Sequence, residues 1–293
     1  MKNNTKNKTN IIVQRARQAG YCYGVERAIK KVEKALSSHV TVYSLGPIIH
    51  NPQVVEELKA KGLVLAKDVD EVPEGATVII RSHGVAPRVL EQLKERKAIV
   101  IDATCPFVRR AQVVASRLHD RGYSVVVVGE PTHPEVLGIL GYAGPDATVV
   151  SSRAEAEKLP PVRRRGVVFQ TTQSDAIIED VAAALVRSSE EVVFHNTICE
   201  ATTERQEAAR ELAASSDVVF VVGGRNSGNT RRLYEICSAI NARTFLIETA
   251  DEIDASHVAG ARVIGVTAGA STPRKIIDEV VRRIEERVGG GER

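Results

Sequence analysis

The chain has 293 residues, 43% of them hydrophobic and 26% charged, with 40 Lys and Arg set against 37 Asp and Glu. These proportions are those of an ordinary globular protein with ample core material. A formal charge of only +3 gives no basis for a nucleic-acid surface or a polybasic membrane patch. Trp is absent and aromatics make up 4% of the chain, which also argues against a stacking platform for single strands.

The opening MKNNTKNKTN is polar and basic, and the apolar stretch behind it, residues 11–13, is cut short by Arg15 and Arg17. No secretory signal or membrane span is expected, which points to a cytoplasmic protein. Residues 1–10 and 289–293 read as frayed tails. Four cysteines are too few for a disulfide scaffold in a chain of this size, so metal binding or catalysis is the better expectation for them.

In chain order, β-branched runs predict strands at 11–15, 40–44, 77–81, 98–102, 124–128, 166–170, 191–195, 218–222, 243–247 and 262–266. Helix-period segments lie between them, at 26–37, 53–61, 109–121, 203–215 and 273–287. The runs at 125–128 and 218–222 are continuously apolar, as suits strands covered on both faces. This alternation predicts an α/β protein with βαβ crossovers and mostly parallel sheets. The stretch LPPVRRR at 159–165 reads as a loop, because Pro160 and Pro161 interrupt regular structure and three arginines favour solvent.

One pattern occurs three times. A strand, a cysteine and a helix open each unit: AGYCYGVERAI, IDATCPFVRRA and HNTICEATTER. A second strand then ends in glycine before a polar turn and another helix. His50, His133 and Ser227 each fall 28 residues after Cys22, Cys105 and Cys199, and Gly46, Gly129 and Gly223 each fall 24 after them. A third strand–turn–helix closes each unit: IIRSHGVAP, VFQTTQSDA and GVTAGASTP. The expected units are 11–104, 105–197 and 198–288, three quasi-equivalent α/β units in a pseudo-threefold arrangement.

The cysteines lie 83 and 94 residues apart, with no CxxC pair, so spacing alone is a weak metal signal. Repetition strengthens it, since each stands at a strand-to-helix junction, where a helix amino end favours thiolate. Pro106 suits a first helical turn. Cys237, within YEICSAI, reads as a core residue. Three thiolates fit either an iron–sulfur cluster with one open iron or a structural zinc closed by His50 or His83.

Ligands of parallel sheets bind beyond the strands' carboxyl ends, and the turns there hold His50, Asn51, His83, His133, Thr171, Thr172, Ser227, Asn229 and Ser271. Close by are glycines, including Gly228, and Arg81, Arg88, Arg225 and Arg231, but no lysine. Imidazole and hydroxyl donors near helix amino ends suit a phosphate or diphosphate, although each is also an ordinary capping residue. Glu135 belongs in a first helical turn, where acids are common for dipole reasons. Beside thiolates and an anion it would instead be a raised-pKa proton donor, with His133 and Thr171 in its network. Glu130 competes for that role.

The motifs GYCYGV, GPIIHNPQVV, RSHGV, DATCP, HPEV, QTT, CEATTERQ, RNSGNT and TAGAS, in this order over residues 11–284, resemble those of the 4-hydroxy-3-methylbut-2-enyl diphosphate reductase (LytB) family. That resemblance implies one 4Fe-4S cluster on Cys22, Cys105 and Cys199, with the open iron taking the substrate hydroxyl. It implies a diphosphate held by His50, His83, His133, Ser227, Gly228, Asn229 and Ser271, with Thr171 also at the substrate. Glu135 would supply protons through Thr171 and His133. A ferredoxin or flavodoxin would bring two electrons to a cytoplasmic monomer, and the products would be isopentenyl and dimethylallyl diphosphate.

Two positions depart from the family pattern. NSGN at 226–229 puts Gly228 where a hydroxyl is frequent, and Tyr23 stands where a small residue is frequent. The rival readings are an iron–sulfur hydro-lyase, which consumes no electrons, and a non-catalytic zinc or iron–sulfur protein, which needs no anion ring.

Overall fold

The structure, a computed structural model, describes residues 11–38 and 41–289. Of the expected tails, residues 1–10 and 290–293 lie outside the described residues, as does the start of the strand expected from residue 40. Gly289 instead ends a helix. The chain begins β1 (Ile12–Arg15), α1 (Tyr23–Ser38), β2 (Val42–Leu45), α2 (Pro52–Ala60), β3 (Leu63–Ala66), β4 (Thr77–Ile80), α3 (Pro87–Glu95) and β5 (Ile99–Asp102). It continues with α4 (Pro106–Asp120), β6 (Ser124–Val128), α5 (Pro134–Leu140), β7 (Thr148–Val150), α6 (Arg153–Ala156), β8 (Val162–Phe169), α7 (Ala176–Leu185) and β9 (Ser189–His195). The remainder is α8 (Glu200–Ser215), β10 (Val218–Val222), α9 (Gly228–Ile240), β11 (Thr244–Ile247), α10 (Ala255–Val258), β12 (Val263–Ala268) and α11 (Arg274–Gly289).

These elements build three four-stranded sheets, ordered β3-β2-β4-β5, β7-β6-β8-β9 and β11-β10-β12-β1. Every strand pairing among them is parallel. The alternating α/β class expected from sequence is the one observed. The apolar runs of β6 and β10 lie at sheet centres, and Val125–Val128 and Val218–Val222 are buried throughout. Each such valine contributes about 1.5–3 kcal/mol on leaving water.

The three sheet orders match strand for strand, with the cycle shifted in the third. The fourth strand of each sheet is the one that leads into a cysteine: β5 into Cys105, β9 into Cys199 and β1 into Cys22. The first sheet therefore does not contain the strand that opens the chain. β1 pairs in register with β12, Ile12 opposite Val263 and Arg15 opposite Val266, which departs from an N-terminal unit starting at residue 11. A short parallel strand needs an open edge with its apolar face covered, and β12 with α11 provides both.

Contacts divide the chain into two units. Cys22–Thr203 holds the first two sheets; the described residues through Tyr21, together with those from Glu204 onward, hold the third.

Three other expectations change. LPPVRRR is a loop only at its start, because β8 begins at Val162 and the arginines alternate along a strand. Arg163 and Arg164 pair with Glu190 and Glu191 on β9. Arg165 turns inward, 1% exposed, and donates to the Pro160 carbonyl at 2.6 Å. Strands β3 and β7 escaped the sequence reading, being short edge strands with little pattern to detect. Helices α1, α4 and α8 begin about one turn earlier than their periodicity indicated, immediately after the three cysteines. Cys237 is fully buried, as expected.

Candidate active site

In each sheet the chain reverses winding direction between the second and third strands of the spatial order, which are β2 and β4, β6 and β8, and β10 and β12. A crevice opens beyond the carboxyl ends at such a reversal. His50 and His83 follow β2 and β4. His133, Glu135 and Thr171 follow β6 and β8. Ser227, Asn229 and Ser271 follow β10 and β12.

Within the Cys22–Thr203 unit, three half-buried free cysteines open α1, α4 and α8. Cys105 is the N-cap of α4, with Pro106 at the first helical position and its amide bonded to the Ser82 carbonyl at 2.9 Å. The Cys199 amide donates to the Thr171 carbonyl at 3.0 Å, which ties this cysteine to the end of β8. Gly24 has no side chain for a steric reason: a β-carbon there would lie 2.5 Å from Cys105 Sγ and 3.9 Å from Cys22 Sγ. The sequence reading passed over Gly24, although the motif GYCYGV contained it.

The expectation that helix amino ends lower the thiol pKa values is corrected for two of the three. Amides of Phe107 and Val108 do favour the Cys105 thiolate, but burial outweighs them, and Cys22 and Cys199 add repulsion, so its pKa is pushed up to about 11. Cys199 is also raised, by burial first and then by Cys22 and Glu135, against the amides of Ala201 and Thr202. Burial and the neighbouring Cys22 both disfavour the thiolates of Cys105 and Cys199, which calls for a cation to hold them ionised.

Among the described residues, the one set of three ligand atoms lying within 4.8 Å of one another is His50, His83 and His133. The sulfurs are not such a set, whereas thiolates on a single tetrahedral zinc, with Zn–S of about 2.3 Å, sit closer together than that. The cysteines thus suit a multi-iron body better than one zinc ion.

The three imidazoles form a tight group, with ring centroids 4.5 Å apart for His50–His83, 5.3 Å for His50–His133 and 5.5 Å for His83–His133. His83 is held well below the usual imidazole range by burial, then by His50, His133 and Arg81. His133 is the N-cap of α5, and its Nδ1 accepts the Glu135 amide at 3.1 Å. A neutral ring bonded in that way carries its proton on Nε2 and is a donor there, which suits an anion rather than a metal ion. Arg81, also beside this group, is buried enough to lower its pKa, and its Nε has no hydrogen-bond partner.

Glu135 is 2% exposed. The Thr171 amide donates to one of its carboxylate oxygens at 2.6 Å and the Thr171 hydroxyl to the other at 3.0 Å. Burial nevertheless raises its pKa to about 7, the Thr171 hydrogen bonds only moderating the shift. A carboxyl titrating near neutrality is matched to proton donation. Glu130, the competitor, is part-buried in the same turn, and its amide donates to Gln170 Oε1 at 3.0 Å. Asn51 is accounted for as a cap: its side chain accepts the Val54 amide at 3.0 Å at the start of α2.

In the other unit Ser227 is the N-cap of α9 and accepts the Thr230 amide at 3.3 Å. Gly228 and Asn229 follow, both buried, and Asn229 Nδ2 is a buried donor without a partner. Ser271 is buried in the turn after β12. Both backbones must pass close to α9, because β-carbons at Gly223 and Gly269 would lie 2.8 and 2.1 Å from Thr230 Oγ1. A helix amino end with a spare amide donor is a ready anion subsite.

Paired crevices with a thiol trio, an imidazole group and a buried acid define an α/β enzyme able to combine redox and proton chemistry on an anionic substrate. The family model described as LytB protein matches residues 13–285. The chain is 49% identical to the 4-hydroxy-3-methylbut-2-enyl diphosphate reductase of Pelobacter propionicus over 92% of this chain and 96% of that one. It is 48% identical to the reductase of the same name from Geobacter sulfurreducens, with the same coverages. Among solved structures, the (E)-4-hydroxy-3-methyl-but-2-enyl diphosphate reductase described as the terminal enzyme of the non-mevalonate pathway superposes with a TM-score of 0.69 at 44% identity, covering 94% of this chain and all of that one. The E-1-hydroxy-2-methyl-but-2-enyl-4-diphosphate reductase from Plasmodium falciparum superposes with a TM-score of 0.87 at 29% identity, covering 93% and 87%. The chain belongs to the LytB family, and it is a reductase. No helix among the described residues is long and apolar enough to cross a membrane.

Proposed function

We propose that the chain catalyses the reductive dehydroxylation of 4-hydroxy-3-methylbut-2-enyl diphosphate to isopentenyl and dimethylallyl diphosphate. Two electrons and two protons enter, a carbon–oxygen bond breaks, and water leaves. The observation that carries this reading is the buried Glu135, gripped by the Thr171 amide and hydroxyl while the Thr171 carbonyl takes the Cys199 amide, so that one residue links the acid to a cysteine.

Cys22, Cys105 and Cys199 are the residues that would hold one 4Fe-4S cluster. Such a cluster, with only three protein ligands, supplies single electrons and a Lewis-acidic iron for the substrate hydroxyl. The imidazoles of His50, His83 and His133 bind the diphosphate as N–H donors, and Ser227, Gly228, Asn229 and Ser271 add neutral side-chain and backbone donors to it. This remote anchoring orients the allylic end. Glu135 keeps its proton until turnover, because burial disfavours the carboxylate. Thr171 fixes both carboxyl oxygens and relays the proton, and His133 sets the position of Glu135 through its amide. In this reading the three sheets serve as quasi-equivalent units, each with one cysteine after its fourth strand and one anion-binding turn. The protein works in the cytoplasm as a monomer, with electrons from a ferredoxin or flavodoxin.

The test is anaerobic purification with iron and sulfide quantitation, followed by turnover of the hydroxylated diphosphate with dithionite and viologen. About four irons per chain and two electrons consumed per product are expected. Product formation without electron uptake would indicate a hydro-lyase instead.

A further inference from the structure

Helix α1 starts one residue after Cys22 and buries Gly24, Ala28, Val32 and Ala35. Its outward face is of a different kind. Tyr23, Arg27, Lys30, Lys31 and Lys34, together with Glu26, line a shallow concavity of about 330 Å³. Four cations therefore stand against one carboxylate, on a chain whose whole formal charge is only +3. Glu26 pairs with Lys30 at 2.6 Å in an exposed bridge. Arg27 and Lys31 reach back to the carbonyls of Thr104 and Asp102, at 2.8 and 2.5 Å, and so brace the strand end that leads into Cys105. Lys34 has no side-chain partner among the described residues. Tyr23 is 65% exposed, an aromatic ring on open surface directly beside a proposed cluster ligand.

We infer that this face of α1 is the docking surface for an acidic one-electron carrier protein, with Tyr23 at its centre and Lys30 and Lys34 as its steering charges. The inference rests on the reductase reading. Each encounter transfers one electron: the carrier is oxidised by one, the enzyme's cluster is reduced by one, and two encounters serve each turnover. Transient redox complexes use small interfaces with a polar, charged rim around a few apolar contacts. Complementary charge raises their association rate more than their lifetime. Electron transfer falls steeply with distance, so the carrier must approach a cluster ligand, and α1 is a basic surface that begins at one.

A second concave surface contains Arg163, Arg187, Ser188 and Ser189. It lies at the amino ends of β8 and β9, and the 7 residues of β9 place it on the order of 20 Å of strand away from the end that leads to Cys199. That surface serves as the control.

The holoenzyme is titrated with an acidic flavodoxin, and turnover is followed in parallel with flavodoxin and with methyl viologen as donor. The Lys30→Glu/Lys34→Glu double variant spares the bracing contacts of Arg27 and Lys31. It is expected to weaken flavodoxin binding by roughly tenfold or more at low salt and to slow flavodoxin-driven turnover to match. Viologen-driven turnover should stay at the wild-type level, wild-type binding should weaken as salt rises, and Arg187→Glu should change neither readout. Unchanged flavodoxin binding in the double variant, or weakening confined to Arg187→Glu, would overturn the docking assignment while viologen turnover still upheld the reductase reading. A wild-type holoenzyme inactive with both donors would overturn that reading and the docking inference with it.

Discussion

At the crevices of the Cys22–Thr203 unit the side chains can change protonation state: three imidazoles within 5.5 Å of one another by centroid, and a carboxyl with a pKa of about 7. At the equivalent crevice of the other unit stand Ser227, Asn229 and Ser271, none of which titrates. The sheets have the same strand order, and His50, His133 and Ser227 occupy equivalent offsets from their cysteines. One topology thus supports two chemistries. In the proposed mechanism the first unit stores and moves protons, and the second offers neutral donors to an anion. The helix that opens each crevice is indifferent to the distinction, since an N-cap can be His133 or Ser227.

The sharpest break of this comparison is Cys105→Ser. The proposal requires it to lose bound iron and visible absorption and to abolish turnover, whereas an active variant with full iron content would remove Cys105 from the ligand set. Next comes Glu135→Gln, expected to lower turnover about 10²–10⁴-fold with little change in substrate affinity. Because the acid form is the working one, wild-type turnover should fall as pH rises through about 7, and the variant should lack that limb.

The same group affects stability. Its folded pKa lies above the unfolded 4.5, so its contribution is fully present below pH 4.5 and is lost as pH rises through about 7. At pH 8 the Gln variant should therefore be more stable than wild type, by up to about 3 kcal/mol. A lower melting temperature there would contradict the buried-acid account.

On the neutral side, Asn229→Ala removes a donor expected to serve a charged ligand. A loss of roughly 1.5–3 kcal/mol in diphosphate binding should appear in KM, with no new pH dependence. A shift in the pH profile would show that the two crevices are not divided as described. Gly24→Ala presses a methyl onto Cys105 Sγ, and a destabilisation of about 1–3 kcal/mol is expected, with reduced iron retention. The smallest effect belongs to Arg165→Met. The guanidinium is buried, Nε and Nη1 have no partners, and Nη2 bonds only the Pro160 carbonyl. An apolar side chain of similar length should leave stability unchanged or slightly improved, as measured by denaturant midpoint.

Much of this architecture is legible in one dimension. Apolar runs at 125–128 and 218–222 suited covered strands, and the threefold recurrence of cysteine, glycine and turn located the three cysteines and the polar turn residues beyond the strands, though not Gly24 or the buried Arg165. Periodicity also resolved the long helices, although α1, α4 and α8 start earlier than it indicated, because a first turn is fixed by capping and proline rather than by an apolar stripe. The short edge strands β3 and β7 carried too little pattern to register.

What the sequence determined alone is the set of reactive groups and their equivalent placement at strand ends, since both follow from local pattern and residue type. Only the tertiary structure decided how those groups behave. β1 joins the sheet of β12 because a parallel strand takes whichever protected edge is available, and that choice involves residues about 250 positions apart, far beyond any local pattern. Burial made Arg165 a core residue, raised Cys105 and Glu135, and lowered His83. Desolvation depends on what surrounds a charge in three dimensions, and the order of residues along a chain does not specify that.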